Sequence, residues 1–281
     1  MAGAVGIIAG QGILPLHLSR ALTRAGRRVI LAEMAGFAAE NPDGLPLIRF
    51  RAEKLGGLFK ALRAEGVTDL VFAGAVRRPR LDAAQFDLKT MMMAPRLLRA
   101  LRAGDDGTLR AVLAIFEAEG FAIRAAHEIC PDLLPPAGVL TVVQPCAADR
   151  NDTCRAEAVQ AALAVADLGQ GVVVAQGQVL AVETAPGTDA MLDWVADVAG
   201  RLRPDPGGAR GVFFKAPKAG QDRRVDLPAI APATVARVAR AGLAGIVLEA
   251  GGVMILDQAE TLAAADAAGL FLWIRPGGAA S

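Results

Sequence analysis

Short apolar runs alternate with segments of helical periodicity in the first half of the chain. Residues 5–10 (VGIIAG) form an apolar run that ends in glycine, and apolar residues then recur at helical spacing over 14–22. The same alternation predicts further elements at these positions: strands 28–34, 47–51, 69–75 and 121–126, and a helix at 55–65. A longer helical region, 82–119, should be broken near Pro95 and at Gly104. Alternating strands and helices predict an α/β domain built on a doubly wound parallel sheet.

A proline-rich segment, CPDLLPPAG at 130–138, separates the two halves of the chain because proline resists helix formation. We therefore expect a Rossmann-like N-terminal domain at 1–132 and a second α/β domain at 138–281. The pattern of the second half predicts these elements: strands 138–143, 171–176, 178–183, 211–215, 245–249, 253–257 and 270–275, and helices 151–168, 188–203, 232–241 and 258–268. A Gln-Gly turn joins the second and third of these strands, so the sheet should be mixed rather than purely parallel.

Composition excludes several classes of function. The 30 basic and 29 acidic residues give a formal charge of +1, so no global field gathers polyanions and any anion site must be local. With ten Phe, two Trp and no Tyr, the chain also has few platforms for base stacking, and we expect no nucleic-acid partner. The first ten residues lack the basic and apolar regions of a signal peptide, which predicts a cytoplasmic protein.

A glycine-containing turn closes the first predicted strand. Gly10, Gln11 and Gly12 lie where the first helix begins, and the backbone N–H groups there could bind the phosphate of a nucleotide or sugar nucleotide. Glu33 ends the second strand, where a ribose-binding acid lies in dinucleotide sites, but Pro15 occupies the place of the third glycine. An NAD(P)-dependent oxidoreductase, a non-catalytic nucleotide-binding regulator and a plain turn without ligand therefore stay open as alternatives.

The densest cluster of charged side chains is the irregular segment after the strand predicted at 211–215. The fourteen residues 215–228 hold four cations, two carboxylates and one amide: Lys215, Lys218, Arg223 and Arg224, Asp222 and Asp226, and Gln221. Hydrolysis of a pyrophosphate needs cations for the phosphoryl oxygens and carboxylates for a hard metal ion, and this segment supplies both. The alternative is a solvated surface loop with local ion pairs.

The motif K-x-x-K-x-x-Q-D-x-R-x-D-L-P in this segment resembles the signature of the LpxI-type UDP-2,3-diacylglucosamine pyrophosphatases of lipid A biosynthesis. Three other stretches are similar to that family: AGQGILP near the N-terminus, GAVRRP at 74–79 and Gly104-Asp105-Asp106. The resemblance implies hydrolysis of UDP-2,3-diacylglucosamine to UMP and 2,3-diacylglucosamine 1-phosphate (lipid X), with water attacking the sugar-side phosphorus. It also implies Mg²⁺ as the cofactor and an essential aspartate at Asp226.

The resemblance also implies roles for other side chains. We expect Asp226, with Asp222, to hold the metal, and Lys215, Gln221 and Arg223 to orient the pyrophosphate. Thr188 and Asp189, at the start of a predicted helix, are further candidates for substrate binding, with simple N-capping by Thr188 as the alternative. Glu183 precedes these two residues, and Thr-Ala-Pro separates it from Gly187-Thr188-Asp189. Similar sequences run E-G-T-D without such an insertion, so the sequence assigns Glu183 no role.

A basic amphipathic helix is predicted at 89–103, with Arg96, Arg99 and Arg102 at three-residue spacing. For an amphiphilic substrate this favours peripheral contact with the cytoplasmic face of the inner membrane; a core-packed helix with a solvated arginine face is the alternative. Oligomeric state and acyl-chain length are not determined by the sequence.

Overall fold

The computed structural model describes residues 3–76, 81–100, 105–218 and 221–276. The chain forms two compact units: Met1–Cys130 with Asp222–Val225, and Pro131–Gln221 with Asp226–Ser281. Half of the GAVRRP stretch (77–79), Gly104 and the side chains of Asp105 and Asp106 lie outside the described part of the chain. Among the described residues, no helix is long and apolar enough to cross a membrane.

The first unit is built on a five-stranded sheet in which every strand runs parallel to its neighbours. In the spatial order β3-β2-β1-β4-β5, the strands are β1 (Ala4–Ala9), β2 (Val29–Met34), β3 (Leu47–Phe50), β4 (Val67–Ala73) and β5 (Ala122–Ile123). The helices are α1 (Leu14–Arg24), α2 (Leu55–Ala64), α3 (Leu88–Ala100), α4 (Asp105–Ala118) and α5 (Ala126–Ile129). This architecture confirms the predicted doubly wound α/β domain.

One predicted break in this unit is wrong. Pro95 lies inside α3, which continues from Leu88 to Ala100, although an interior proline removes a backbone hydrogen bond and disfavours helix by about 3 kcal/mol. The helix packs against α2 and α4, and these tertiary contacts offset the local preference. Local sequence preference alone therefore could not place the end of this helix.

The second unit is built on a six-stranded mixed sheet of order β6-β13-β11-β9-β7-β8. Its strands are β6 (Gly138–Val139), β7 (Gly171–Ala175), β8 (Gln178–Val182), β9 (Val212–Lys215), β11 (Gly245–Glu249) and β13 (Phe271–Arg275); β10 (Ala229–Ile230) and β12 (Met254–Ile255) pair separately. The helices are α6 (Ala147–Val165), α7 (Gly187–Asp197), α8 (Pro232–Arg240) and α9 (Gln258–Ala267). The predicted mixed sheet is confirmed, although the strand predicted at 253–257 lies outside the main sheet.

Strand direction in this sheet collects several chain segments at one edge. Strands β9, β11 and β13 are mutually parallel, and β7 is antiparallel to both of its neighbours, β9 and β8. Strands β8 and β9 therefore end at the same edge, on either side of the first residue of β7. Glu183, which follows β8, Gly171 and Lys215 consequently lie on three neighbouring strands at this edge.

The carboxyl ends of β1 and β4 in the first unit are joined directly through their backbones. Gly10 N–H donates to the Ala73 carbonyl at 2.8 Å, and Gln11 and Ala75 exchange two hydrogen bonds of 3.0 and 2.8 Å. A Cβ on Gly10 would lie 2.6 Å from the Ala75 carbonyl oxygen, and one on Gly74 would lie 2.7 Å from the Gln11 carbonyl oxygen. Gly74 also has φ +88°, so both glycines are required for this close approach.

Replacement of Gly74 by Ala is expected to destabilise the protein by about 2 kcal/mol or more, since it combines a positive φ with a backbone clash. Gly57→Ala is the matched control. Gly57 lies in α2, where a Cβ would have nothing within 4 Å, so that substitution should stabilise by about 0.5–1 kcal/mol. Urea unfolding of both variants measures the difference, and equal shifts of the two midpoints would contradict the role given to Gly74.

Candidate active site

Lys215 carries a buried charge at the shared edge of β8 and β9. It is the last residue of β9 and is only 5% exposed. Its Nζ donates a hydrogen bond of 2.6 Å to Thr188 Oγ1, in the first turn of α7, and lies 4.0 Å from Glu183 Oε2. The structure therefore brings together two of the predicted substrate-binding residues, Lys215 and Thr188, with Glu183 beside them.

Burial lowers the pKa of Lys215, because removing an ammonium from water disfavours its charged form. The negative charges of Glu183 and Asp189 act in the opposite direction. Asp189 also lies 3.3 Å from Arg237 Nη2 on α8, and its side chain is 62% exposed, so its charge is shared and screened. Desolvation and nearby carboxylates thus act on the pKa of Lys215 in opposite directions. Such opposed effects are typical of functional sites.

Asp226 is held by a neutral amide. Gln221 Nε2 donates to Asp226 Oδ2 at 2.5 Å. Gln221 is itself fixed, since its Oε1 accepts hydrogen bonds from Lys218 N at 2.8 Å and from Gln170 Nε2 at 3.1 Å. These contacts fix the direction of the Asp226 carboxylate.

The start of the segment after β9 is anchored by two further residues. Gln160, buried on α6, donates to the carbonyl of Pro217 at 3.2 Å. Lys218 Nζ lies 2.7 Å from Asp167 Oδ1. Gln160, Gln170 and Asp167 carried no signal in the sequence, because each lies about fifty residues from its partner and no motif links them.

Asp222 forms a tight ion pair with Arg224 within the first unit. Arg224 Nη2 and Nε donate to the two Asp222 oxygens at 2.7 and 3.0 Å, and Arg224 Nη1 also reaches Glu117 Oε1 on α4 at 2.6 Å. Hydrogen bonding from Arg224 lowers the pKa of Asp222. Arg223, between them, is exposed.

The glycine turn of the first unit uses two of its backbone donors internally. The N–H groups of Gly10 and Gln11 donate to the carbonyls of Ala73 and Ala75. Gly12 is exposed and has φ +99°. Glu33 accepts hydrogen bonds from Ala39 N at 3.1 Å and from Arg49 Nε at 3.3 Å. The assignment of these residues to a bound phosphate or ribose stays a prediction.

A metal ion at the predicted ligands would need oxygen atoms from outside the protein. Among the described residues, no group of three or more His, Cys, Asp or Glu side chains is arranged to hold a metal. Mg²⁺ is commonly bound by one or two carboxylates together with substrate phosphates and water, and the amide-held Asp226 fits that mode. Asp222 fits less well, because a metal there would compete with Arg224 for both of its oxygens.

A hollow of about 260 Å³ with both polar and apolar surface lies between β8 and α7. Val182, Pro186, Met191 and Trp194 are among its lining residues, and half of Trp194 is exposed. Apolar surface of this kind is a normal feature of ligand sites.

Buried ionisable groups at the ends of strands are characteristic of α/β enzymes, and this chain is an α/β enzyme. It belongs to the LpxI family: the family models described as LpxI N-terminal domain and LpxI C-terminal domain match residues 4–133 and 136–273. A relative from Caulobacter vibrioides, UDP-2,3-diacylglucosamine pyrophosphatase LpxI, is 44% identical over 268 residues, which cover 95% of this chain and 96% of the relative. The family resemblance stated from the sequence motifs is thereby confirmed.

Arg224→Met is expected to destabilise the protein at pH 7 by about 1 kcal/mol, a value reduced for the 41% exposure of the Arg224 side chain. The folded-state pKa of Asp222 is lowered, so its stabilising contribution is present above its ordinary value of 3.8 and is lost as pH falls through the lowered value. The loss of stability caused by Arg224→Met should therefore be smaller at acid pH than at pH 7.

Urea unfolding between pH 7 and pH 2.5 measures this change, with Arg20→Met as the matched control. Arg20 and Asp43 form an ion pair in which both side chains are at least 40% exposed, so a smaller loss is expected there. A loss for Arg224→Met that stays constant with pH would refute the assigned pairing.

Proposed function

We propose that this chain hydrolyses the pyrophosphate of UDP-2,3-diacylglucosamine, releasing UMP and 2,3-diacylglucosamine 1-phosphate. The observation that carries the proposal is the 44% identity, over nearly the whole of both chains, to a relative named for that activity. The chemistry of the described residues supports it, since a buried lysine and an amide-held aspartate are suited to a doubly charged diphosphate.

In the proposed reaction, water attacks the sugar-side phosphorus, and the bond from that phosphorus to the bridging oxygen breaks with UMP as the leaving group. Lys215 would donate a hydrogen bond to a phosphoryl oxygen and stabilise the charge that develops there. Thr188 and the backbone N–H groups of the first turn of α7 would add donors to the same anion. Gln221 and Arg223 would orient the diphosphate.

Asp226 would hold Mg²⁺, whereas Asp222, the other predicted ligand, is the weaker candidate because both of its oxygens bind Arg224. The ion, when bound, neutralises phosphoryl charge and lowers the pKa of water. The hydrogen bond from Gln221 fixes the direction of the Asp226 carboxylate, so little reorganisation is needed when the substrate arrives.

The lipid part of the substrate requires apolar surface, because each buried methylene contributes about 0.8 kcal/mol. The hollow beside β8 and α7 supports an acyl-chain site in the second unit. An amphiphilic substrate also favours a cytoplasmic enzyme that contacts the surface of the inner membrane. The basic segment 89–103 would make this contact, and its arginine side chains lie outside the described residues.

Asp226→Asn is expected to keep the fold and to reduce kcat by about 10³-fold or more, since a neutral amide oxygen binds Mg²⁺ much more weakly than a carboxylate does. Asn still offers an oxygen to Gln221, so the local hydrogen bond is retained. Asp197→Asn, an exposed substitution at the end of α7, is the control and should hydrolyse at the wild-type rate. A near wild-type rate for Asp226→Asn would refute the proposed role of Asp226.

The activity itself is tested by incubating purified protein with UDP-2,3-diacylglucosamine in ¹⁸O-labelled water, with and without EDTA. We expect UMP and lipid X to appear only without EDTA, with the label in lipid X. Label in UMP would place the attack on the other phosphorus, and turnover in EDTA would exclude the metal. Binding without hydrolysis would favour the nucleotide-binding regulator, and a change in NADH fluorescence would favour the oxidoreductase.

A further inference from the structure

Glu183 is a carboxylate with one buried oxygen, and the proposed reaction gives it no task. Its backbone is held at the edge of the second sheet, where Glu183 N–H donates to the Gly171 carbonyl at 2.8 Å and the Glu183 carbonyl accepts from Gly169 N–H at 3.1 Å. The side chain is 12% exposed, and its buried Oε2 has no hydrogen-bond partner among the described residues. A buried charged oxygen without a partner is costly and calls for an explanation.

Two glycines create the space in which this carboxylate lies. A Cβ on Gly171 would be 2.8 Å from Glu183 Oε2, and one on Gly169 would overlap the Glu183 backbone. Any other residue at these positions would displace Glu183. Gly169 therefore makes room for the Glu183 backbone, and Gly171 makes room for its carboxylate.

The Lys215 ammonium lies 4.0 Å from this oxygen. This distance is too long for a direct hydrogen bond but short enough for strong attraction between buried charges. The ammonium makes its 2.6 Å hydrogen bond to Thr188, so Thr188 and Glu183 together define where it lies. Among the described residues, the charged groups that act on Lys215 are Glu183, after β8, and Asp189, on α7; Glu183 is much the less exposed of the two.

We propose that Glu183 is a positioning residue: its carboxylate keeps the buried Lys215 ammonium charged and aligned with Thr188, so that Lys215 can receive an anionic oxygen of the substrate. The catalytic part of this inference rests on the proposed function, whereas the pairing of Glu183 with Lys215 does not. Burial of Lys215 lowers its pKa, and the charge of Glu183 opposes that effect. Without Glu183, the ammonium would lose its proton at a lower pH.

The pairing is tested directly by NMR on protein labelled with ¹³C and ¹⁵N in lysine. The chain has five lysines, so the Nζ signals are few, and Lys215→Arg identifies the one from Lys215. We expect the Lys215 signal in the wild type to titrate below the other lysines. Glu183→Gln, which keeps shape but removes charge, should lower that pKa further by about one unit or more. An unchanged titration would overturn the proposal.

The functional consequence is measured as kcat/KM against pH with UDP-2,3-diacylglucosamine. Glu183→Gln should lower kcat/KM by about tenfold on the alkaline side, with a smaller loss toward acid, because one pKa unit changes the charged fraction tenfold. Glu183→Asp retains the charge and should recover most of the activity. Glu260→Gln removes one exposed carboxylate from α9 and should match the wild type. A pH-independent loss in Glu183→Gln would indicate a purely structural role and overturn the proposal.

The two proposals fail in different ways. If the wild type does not hydrolyse the substrate, the proposed function fails, while the Lys215 titration still tests the pairing. If Glu183→Gln does not fold, Glu183→Asp must show a smaller downward shift of the Lys215 pKa, because its carboxylate lies one methylene farther away. No shift in that variant would also overturn the proposal.

Discussion

A buried ammonium at the end of a strand sets the strongest constraint on the second unit. Lys215 is almost completely removed from water, and such a charge is stable only where acceptors and counter-charges are fixed around it. Thr188 supplies the acceptor and Glu183 the opposite charge. Both reach Lys215 because β8 and β9 end at the same edge of the sheet, with α7 starting a few residues after β8.

The segment that follows β9 is fixed mainly by neutral amides. Gln160 binds its backbone, Gln170 binds Gln221, and Gln221 binds the Lys218 N–H and holds Asp226. An amide can direct a carboxylate without cancelling its charge, whereas an arginine partner, as at Asp222, partly neutralises it. The two aspartates of the segment therefore have different partners among the described contacts, an amide for Asp226 and an arginine for Asp222.

In the first unit, a glycine turn after β1 serves the protein's own backbone. Gly10 and Gly74 allow the chain segments after β1 and β4 to approach until they exchange hydrogen bonds. In dinucleotide-binding folds, glycines at this place let a pyrophosphate approach the backbone. In this chain the same property, the lack of a Cβ, lets two chain segments approach each other closely.

The sequence by itself determined the elements, the parallel sheet of the first unit, the mixed sheet of the second and the family, because periodicity, turn residues and a long motif are local features of the chain. It also singled out Lys215, Thr188, Gln221 and Asp226. Only the tertiary structure decided that α3 continues through Pro95 and that Glu183 lies beside Lys215. These outcomes depend on helix packing and on strand order, which join residues far apart in sequence and leave no local pattern to detect.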